Sequence, residues 1–563
     1  MTTTIENADE LAAPLDLLLT GSAIGIGRRM LPNTSWTRLG LSLARKPGTV
    51  AGRVGALGQE LTQIARGRSR RAPRKGDRRF DDPAWQGNPL FKRSMQAYLA
   101  AGDTVEALFA DAELDWRDAE WMRFVLDNLV EGLSPSNNPL LNPVTWKALV
   151  DTGGRSAVRG LRHFLADMST APRVPSMVEA DAFTLGETVA ATPGSVVLRT
   201  EMFELIQYTP QTERVASVPL LMVPPVINKY YIMDIAPGRS MIEYFLRAGQ
   251  QVFAISWRNP GAGQREWDLD AYGQAIIDAL GAVERITGSD RTQLQASCSG
   301  GIIAAMTAAH LTAIGQAPRL AGLTLMVTVL DQSHAGFAAA AIDQEAAEIA
   351  IALSARKGYL DGRALAEVFA WLRPNDLVWR YWVNNYLQGR VPAPFDVLFW
   401  NADTTRMAAA LHRDMVLMGV HNSLTTPGAV TMLGTPVDLS ELTVDTYVVA
   451  GIADHISPWQ ACYRSARLLG AKDLRFVLST SGHIAALVNP PGNPKASYRV
   501  GGVDEADPAA WLDEARTEKG SWWPDFVAWL AERGGPEQDA PRAPGTAELP
   551  PLEPAPGSYV REH

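Results

Sequence analysis

Two hydrophobic rhythms divide the chain. Between residues 81 and about 170 apolar side chains recur at helical spacing: Phe91, Met95, Tyr98 and Leu99 open the pattern, and residues 121–133 and 146–168 continue it. The turn formers Ser134, Pro135, Ser136, Asn137, Asn138 and Pro139 interrupt it. Residues 81–190 therefore read as a helical N-terminal domain whose aromatics serve as core.

Beyond Thr192, Pro193 and Gly194 the apolar runs become short and strand-like, at residues 196–198, 205–208, 220–223 and 252–257. Amphipathic stretches at 240–248 and 269–286 alternate with them. A short strand at 291–295 then leads into the Ala-rich apolar run 302–311, which carries a helix well. Buried-strand runs at 323–330, 447–450 and 475–478 complete the series. Such alternation is what a mostly parallel, doubly wound α/β sheet requires.

The remaining segments attach to this sheet. Residues 331–433 form a long insertion rich in aromatics, among them Trp371, Trp379, Trp382, Tyr386 and Trp400, and are expected to be a cap that excludes water. Residues 1–80 hold little periodic order after one candidate first helix, and their basic run at 66–75 reads as a solvated linker. The catalytic domain is placed at 191–535. The Pro-, Ala- and Glu-rich tail 536–563 is expected to be disordered.

Composition narrows function more than fold. Of the 563 residues, 46% are apolar and 20% charged, an ordinary soluble balance that is long enough for two or three domains. A net charge of -9 gives no reason to expect a nucleic-acid partner. With two cysteines, Cys298 and Cys462, neither a disulfide framework nor a cysteine zinc site can be built; no metal or cofactor is expected. The acidic start and the lack of a long apolar run argue for a cytoplasmic protein without a signal or transmembrane segment.

The candidate chemistry centres on Gln295, Ala296, Ser297, Cys298, Ser299, Gly300 and Gly301. A cysteine between a strand and a helix, flanked by small residues, fits a nucleophile elbow. Taken alone, the heptad equally fits a buried structural cysteine beside a glycine pair. Asp454 and His483 follow the last two strand runs, so nucleophile, acid and histidine occur in α/β-hydrolase order. His455 adjoins Asp454 and reads as a site-shaping residue, His310 as a helix-face histidine, and Cys462 as inert core. For an oxyanion, the Ser299 N–H is one donor, and the loop after the 220–223 strand offers Val226 or Ile227, since Pro224 and Pro225 have no N–H.

These motifs resemble the polyhydroxyalkanoate synthases. The resemblance spans about residues 81–491 and rests on VPPVINKYY from Val223, SWRNP from Ser256, the cysteine elbow, GIADHI from Gly451 and GHIAALVNPP from Gly482. It implies an α/β-hydrolase fold that polymerises (R)-3-hydroxyacyl-CoA onto a growing polyester chain with release of CoA. Cys298 would be acylated, His483 its base and Asp454 an aid to hydroxyl attack. It also implies a homodimer attached to polyester granules and their associated proteins. Ala296 departs from the glycine common in the family box. Ser299, LRPNDLVW from Leu372 and FWNAD from Phe399 look most like the single-subunit, medium-chain group. A thiol-dependent thioesterase or depolymerase on the same fold, and a non-catalytic granule-associated protein, are the alternatives.

Overall fold

The computed structural model describes residues 33–333 and 344–563. The described chain divides into two compact units, one formed by residues 33–179 with 363–394, the other by 180–333, 344–362 and 395–563. The candidate first helix and the start of the insertion, residues 334–343, lie outside the described residues.

The first unit is helical, as its periodicity predicts, but begins earlier. Helices α1 (Thr34–Ala44) and α2 (Pro47–Ala65) precede α3 (Pro89–Asp111), α4 (Trp116–Gly132), α5 (Pro143–Asp151) and α6 (Arg155–Ser169). The low order expected for residues 1–80 is thus corrected over 34–65. Local signals start both helices: the Asn33 side chain accepts the Ser35 N–H at 3.0 Å, and Pro47 occupies the first turn of α2. The basic run is not simply solvated either. Gln96 on α3 donates to the carbonyls of Ser69 and Arg71, and Arg74 pairs with Glu106 at 3.0 Å.

Residues 363–394 also belong to this unit, so the insertion expected as one cap is divided between the two units. Its aromatics supply the reason. Trp382 and Tyr386 pack edge-on against Phe164 of α6, with ring centres 6.0 and 5.4 Å away, and Ala370 and Val378 cluster with Val174. Burial of those rings ties the segment to the helices.

The second unit holds a mixed sheet of eleven strands. In chain order they are β1 (Gly194–Arg199), β2 (Phe203–Tyr208), β4 (Leu220–Val223), β5 (Val252–Trp257), β6 (Thr292–Ser297), β7 (Leu320–Met326), β8 (Thr446–Gly451), β9 (Leu474–Ser479), β10 (Ser497–Gly501), β11 (Arg516–Lys519) and β13 (Glu553–Pro554). A separate pair joins β3 (Arg214–Ala216) to β12 (Glu537–Asp539). The six central strands run parallel in the order β9, β8, β7, β6, β4, β5, and antiparallel strands extend both edges. Every residue of β4, β5, β6, β7 and β8 is buried, which explains the apolar runs of β4, β5, β7 and β8; β6 instead buries Thr292, Gln293, Gln295 and Ser297. Register aligns Val223 with Ala296, Ser297 with Met326, and Gly451 with Ser479, so these strands end along one edge.

The tail expected to be disordered is ordered. Its β12 and β13 pair with β3 and β1, and the buried carboxylate of Glu204 accepts the Ser558 hydroxyl at 2.8 Å and the Tyr559 N–H at 3.0 Å. Edge pairing and a few buried polar contacts hold a segment whose apolar content is too low to form a core of its own.

Candidate active site

Cys298 is the first residue of helix α7 (Cys298–Ala313) and directly follows β6. Its φ is 50°, left-handed backbone that a β-substituted residue adopts only when its surroundings impose it. The expected elbow is therefore present, with its thiol buried. Gly300 allows the next turn to press on the opposite loop: a Cβ there would overlap the carbonyl oxygen of Pro224. Ala296 is fully buried in β6 and pairs in register with Val223 and Leu325.

The acid and the histidine arrive at the same sheet edge. Asp454 stands three residues beyond the end of β8, and His483 begins a short helix (His483–Leu487) after β9. Their loops pack backbone to backbone, since a Cβ on Gly451 would lie 2.5 Å from the Ser481 carbonyl. His483 Nδ1 is 2.7 Å from Asp454 Oδ2, and Asp454 Oδ1 accepts the N–H groups of Ile456 at 2.8 Å and Ser457 at 2.9 Å. The carboxylate is thus oriented from both sides, and it fixes the imidazole so that Nε2 is left for another partner.

Electrostatics reinforce the arrangement. Burial works against a proton on His483, but the adjacent Asp454 carboxylate, hydrogen-bonded to the ring, outweighs it, and the proximity of Cys298 adds to the effect. Together they push the imidazole up to about 10. The Asp454 carboxylate and the His483 imidazole thus form a buried hydrogen-bonded pair at the sheet edge where β6 ends in Cys298.

The other sequence candidates fall into place around this set. The amide of Val226 already donates to Ser299 Oγ at 3.1 Å, a long-range contact with no local sequence signal. The Val226 N–H is therefore taken up by Ser299, whereas the buried Ile227 N–H has no hydrogen bond among the described residues. The Ser299 N–H lies in the first turn of α7, where backbone donors have no helical acceptor. His455 is half-buried in the Asp454 loop, and the imidazole 2.7 Å from the Asp454 carboxylate is that of His483. His310 Nδ1 lies 3.0 Å from Thr435 Oγ1 on the helix flank. Cys462 is fully buried, and burial holds its thiol well above its usual range.

A central parallel sheet that brings Cys298, Asp454 and His483 to the ends of β6, β8 and β9 in this chain order defines the α/β-hydrolase class, here with sulfur at the elbow. The α/β-hydrolase family matches residues 232–490, and the family described as poly-beta-hydroxybutyrate polymerase (PhaC) N-terminus matches residues 76–245. Within that class the chain belongs to the poly(3-hydroxyalkanoate) polymerase family. It is 43% identical over 559 residues to poly(3-hydroxyalkanoate) polymerase 1 of Ectopseudomonas oleovorans, covering 99% of each chain. Polymerase 2 of that organism is 45% identical over 92% of each chain. The poly(3-hydroxyalkanoate) polymerase subunit PhaC of Cupriavidus necator is 39% identical over 86% of this chain and 83% of its own.

Proposed function

We propose that the chain condenses (R)-3-hydroxyacyl-CoA into polyhydroxyalkanoate, with Cys298 as the acyl carrier. The observation that carries this reading is the hydrogen-bonded Asp454–His483 pair at the sheet edge that presents Cys298 in left-handed backbone. Full-length similarity to named polymerases supplies the substrate class.

In the first half-reaction His483 takes the thiol proton and the Cys298 sulfur attacks the thioester carbonyl. The oxyanion is met by the N–H groups of Ser299 and Ile227. The C–S bond to CoA breaks, and the CoA sulfur leaves with the proton from His483. One thioester has replaced another at little free-energy cost, so the acyl-cysteine stays activated. In the second half-reaction the 3-hydroxyl of another monomer or of the growing chain attacks the acyl-cysteine. Its proton passes to the imidazole, held in orientation by Asp454, and then to the departing cysteine sulfur, while an ester bond forms. A serine would give an oxoester at the first step and lose the activation that chain growth uses.

The Ser299 form of the box and the motifs at 372–379 and 399–403 favour medium-length side chains. A homodimer, a cytoplasmic location and attachment to polyester granules accompany this reading. Among the described residues, no helix is long and apolar enough to cross a membrane.

Incubation with 3-hydroxyacyl-CoA substrates of several lengths, following thiol release and turbidity, tests the proposal. Insoluble polyester with free CoA is expected, and both should vanish in Cys298→Ala. Soluble hydroxy acid in place of polymer would identify a hydrolase; CoA release that survives the substitution would remove Cys298 from the chemistry.

A further inference from the structure

The loop that faces the elbow has a second anchor on its far side. Residues 224–229 leave β4, pass Ser299 and end at Lys229, whose side chain is almost wholly buried. Its ammonium forms an ion pair with Asp403 at 2.8 Å and donates to the backbone carbonyls of Val560 at 2.5 Å and Glu562 at 3.0 Å. Three oxygens thus meet its three donors. The Lys229 carbonyl accepts the Trp400 indole N–H at 2.7 Å, and Tyr231 donates to the other oxygen of Asp403 at 2.9 Å. Burial draws the Lys229 ammonium below its ordinary range, and Asp403 offsets part of that effect.

The segment supplying those two carbonyls is held in its turn. Glu204 accepts from Ser558 and Tyr559, the Tyr559 hydroxyl donates to the Thr200 carbonyl at 2.6 Å, and Arg258 lies 3.3 Å from the Glu562 carboxylate. At the near side, Pro224 accepts the Trp257 indole N–H at 3.1 Å, and Val226 is bound to Ser299. Pro224 and Pro225 leave the loop few torsions with which to absorb a shift. Lys229 anchors the loop at its far end, two residues from Ile227, as Pro224 and the Val226–Ser299 contact anchor it at the near end.

We infer that Lys229, clamped by residues 560–562 and Asp403, is a positioning residue that sets the aim of the Ile227 N–H at the reacting carbonyl. This rests on the Cys298 reading given above. The clamp acts on the electrophile's side of the site and leaves the Asp454–His483–Cys298 line untouched, so loop geometry and thiol reactivity should separate on measurement.

The experiment compares the full chain with a chain lacking residues 559–563 and with Lys229→Met. Single-turnover release of CoA from 3-hydroxyacyl-CoA reports loop geometry. Alkylation of Cys298 by iodoacetamide, followed by peptide mapping, needs no oxyanion donor and reports the thiol alone. Acylation and kcat are expected to fall by about 10- to 100-fold, with KM and the alkylation rate unchanged. If the truncated chain fails to fold, Lys229→Met in the full chain gives the same comparison. Full acylation in Lys229→Met, or alkylation slowed in step with acylation, overturns the inference. Cys298→Ala run alongside keeps the two readings apart, since CoA release there defeats the nucleophile assignment whatever the clamp does.

Discussion

Gly300→Ala places a methyl group where α7 touches the opposite loop. An ideal Cβ at this position overlaps the Pro224 carbonyl oxygen and lies 2.9 Å from its carbon and 3.1 Å from the Val223 carbonyl oxygen. Carbon and oxygen normally rest no closer than about 3.3 Å, so helix and loop must part by about 1 Å. All three atoms are backbone, and no rotamer change relieves them. Overpacking of this kind costs about 1–3 kcal/mol of stability. A displacement of about 1 Å at the reacting carbonyl costs on the order of 100-fold in rate, so kcat should suffer more than Tm. Gly301→Ala is the matched comparison, because its Cβ meets the Thr328 side chain instead, with Cγ2 at 2.9 Å. Trimming that neighbour in Gly301→Ala/Thr328→Ala removes Oγ1 and Cγ2 and leaves only Cβ at 3.0 Å, so it should restore part of the lost activity, whereas no side-chain trimming can rescue Gly300→Ala. CoA release at saturating substrate and thermal melting are the assays. A Gly300→Ala enzyme with wild-type kcat would refute the claim that the elbow and loop 224–229 are in fixed contact.

Asp454→Asn should move the alkaline limb of the kcat/KM profile, which falls near pH 10 if loss of the His483 proton governs it, down toward neutrality. The folded ring binds its proton more tightly than the unfolded one, so its contribution to stability is complete below about pH 6.5 and is lost as pH rises toward about 10. The wild-type chain should lose stability across that window more steeply than Asp454→Asn, and equal slopes in denaturant titrations would count against the pairing. Glu204→Gln removes the charge that accepts from Arg199, Ser558 and Tyr559, at a cost of about 2–3 kcal/mol. Hydrogen exchange should then quicken over residues 553–563, and unchanged protection there would mean that edge pairing alone holds the segment.

How much of this could be read from the sequence depended on the range of the interactions involved. Asp454 and His483 were legible because each follows a short apolar strand, and a parallel sheet brings successive strand ends to one edge. Cys298 was legible as an elbow for the same reason, though its φ of 50° required the structure. The tail was misread because composition counts apolar surface, whereas residues 553–563 are held by strand pairing and by one buried carboxylate more than 340 positions away in sequence. The aromatic stretch at 363–394 reads as part of a cap in the sequence because its rings carry no sign of their partner. Phe164, which meets two of them, lies in a helix whose own periodicity was already accounted for.

The contact between Ser299 and Val226 changes what the second residue of the elbow is for. Its hydroxyl is not needed as an acid or base, since His483 is already oriented by Asp454. Its N–H sits in the first turn of α7, while its Oγ accepts the Val226 amide from the loop opposite. In the proposed mechanism one residue thus offers a donor to the oxyanion and fixes the loop that carries the other proposed donor, Ile227. With the Gly300–Pro224 approach beside it and the Lys229 clamp beyond, the two donors belong to a frame braced at three points. In the proposed mechanism such a frame serves two successive tetrahedral intermediates, one that expels the CoA thiolate and one that expels the Cys298 sulfur, without the oxyanion donors being rebuilt between steps.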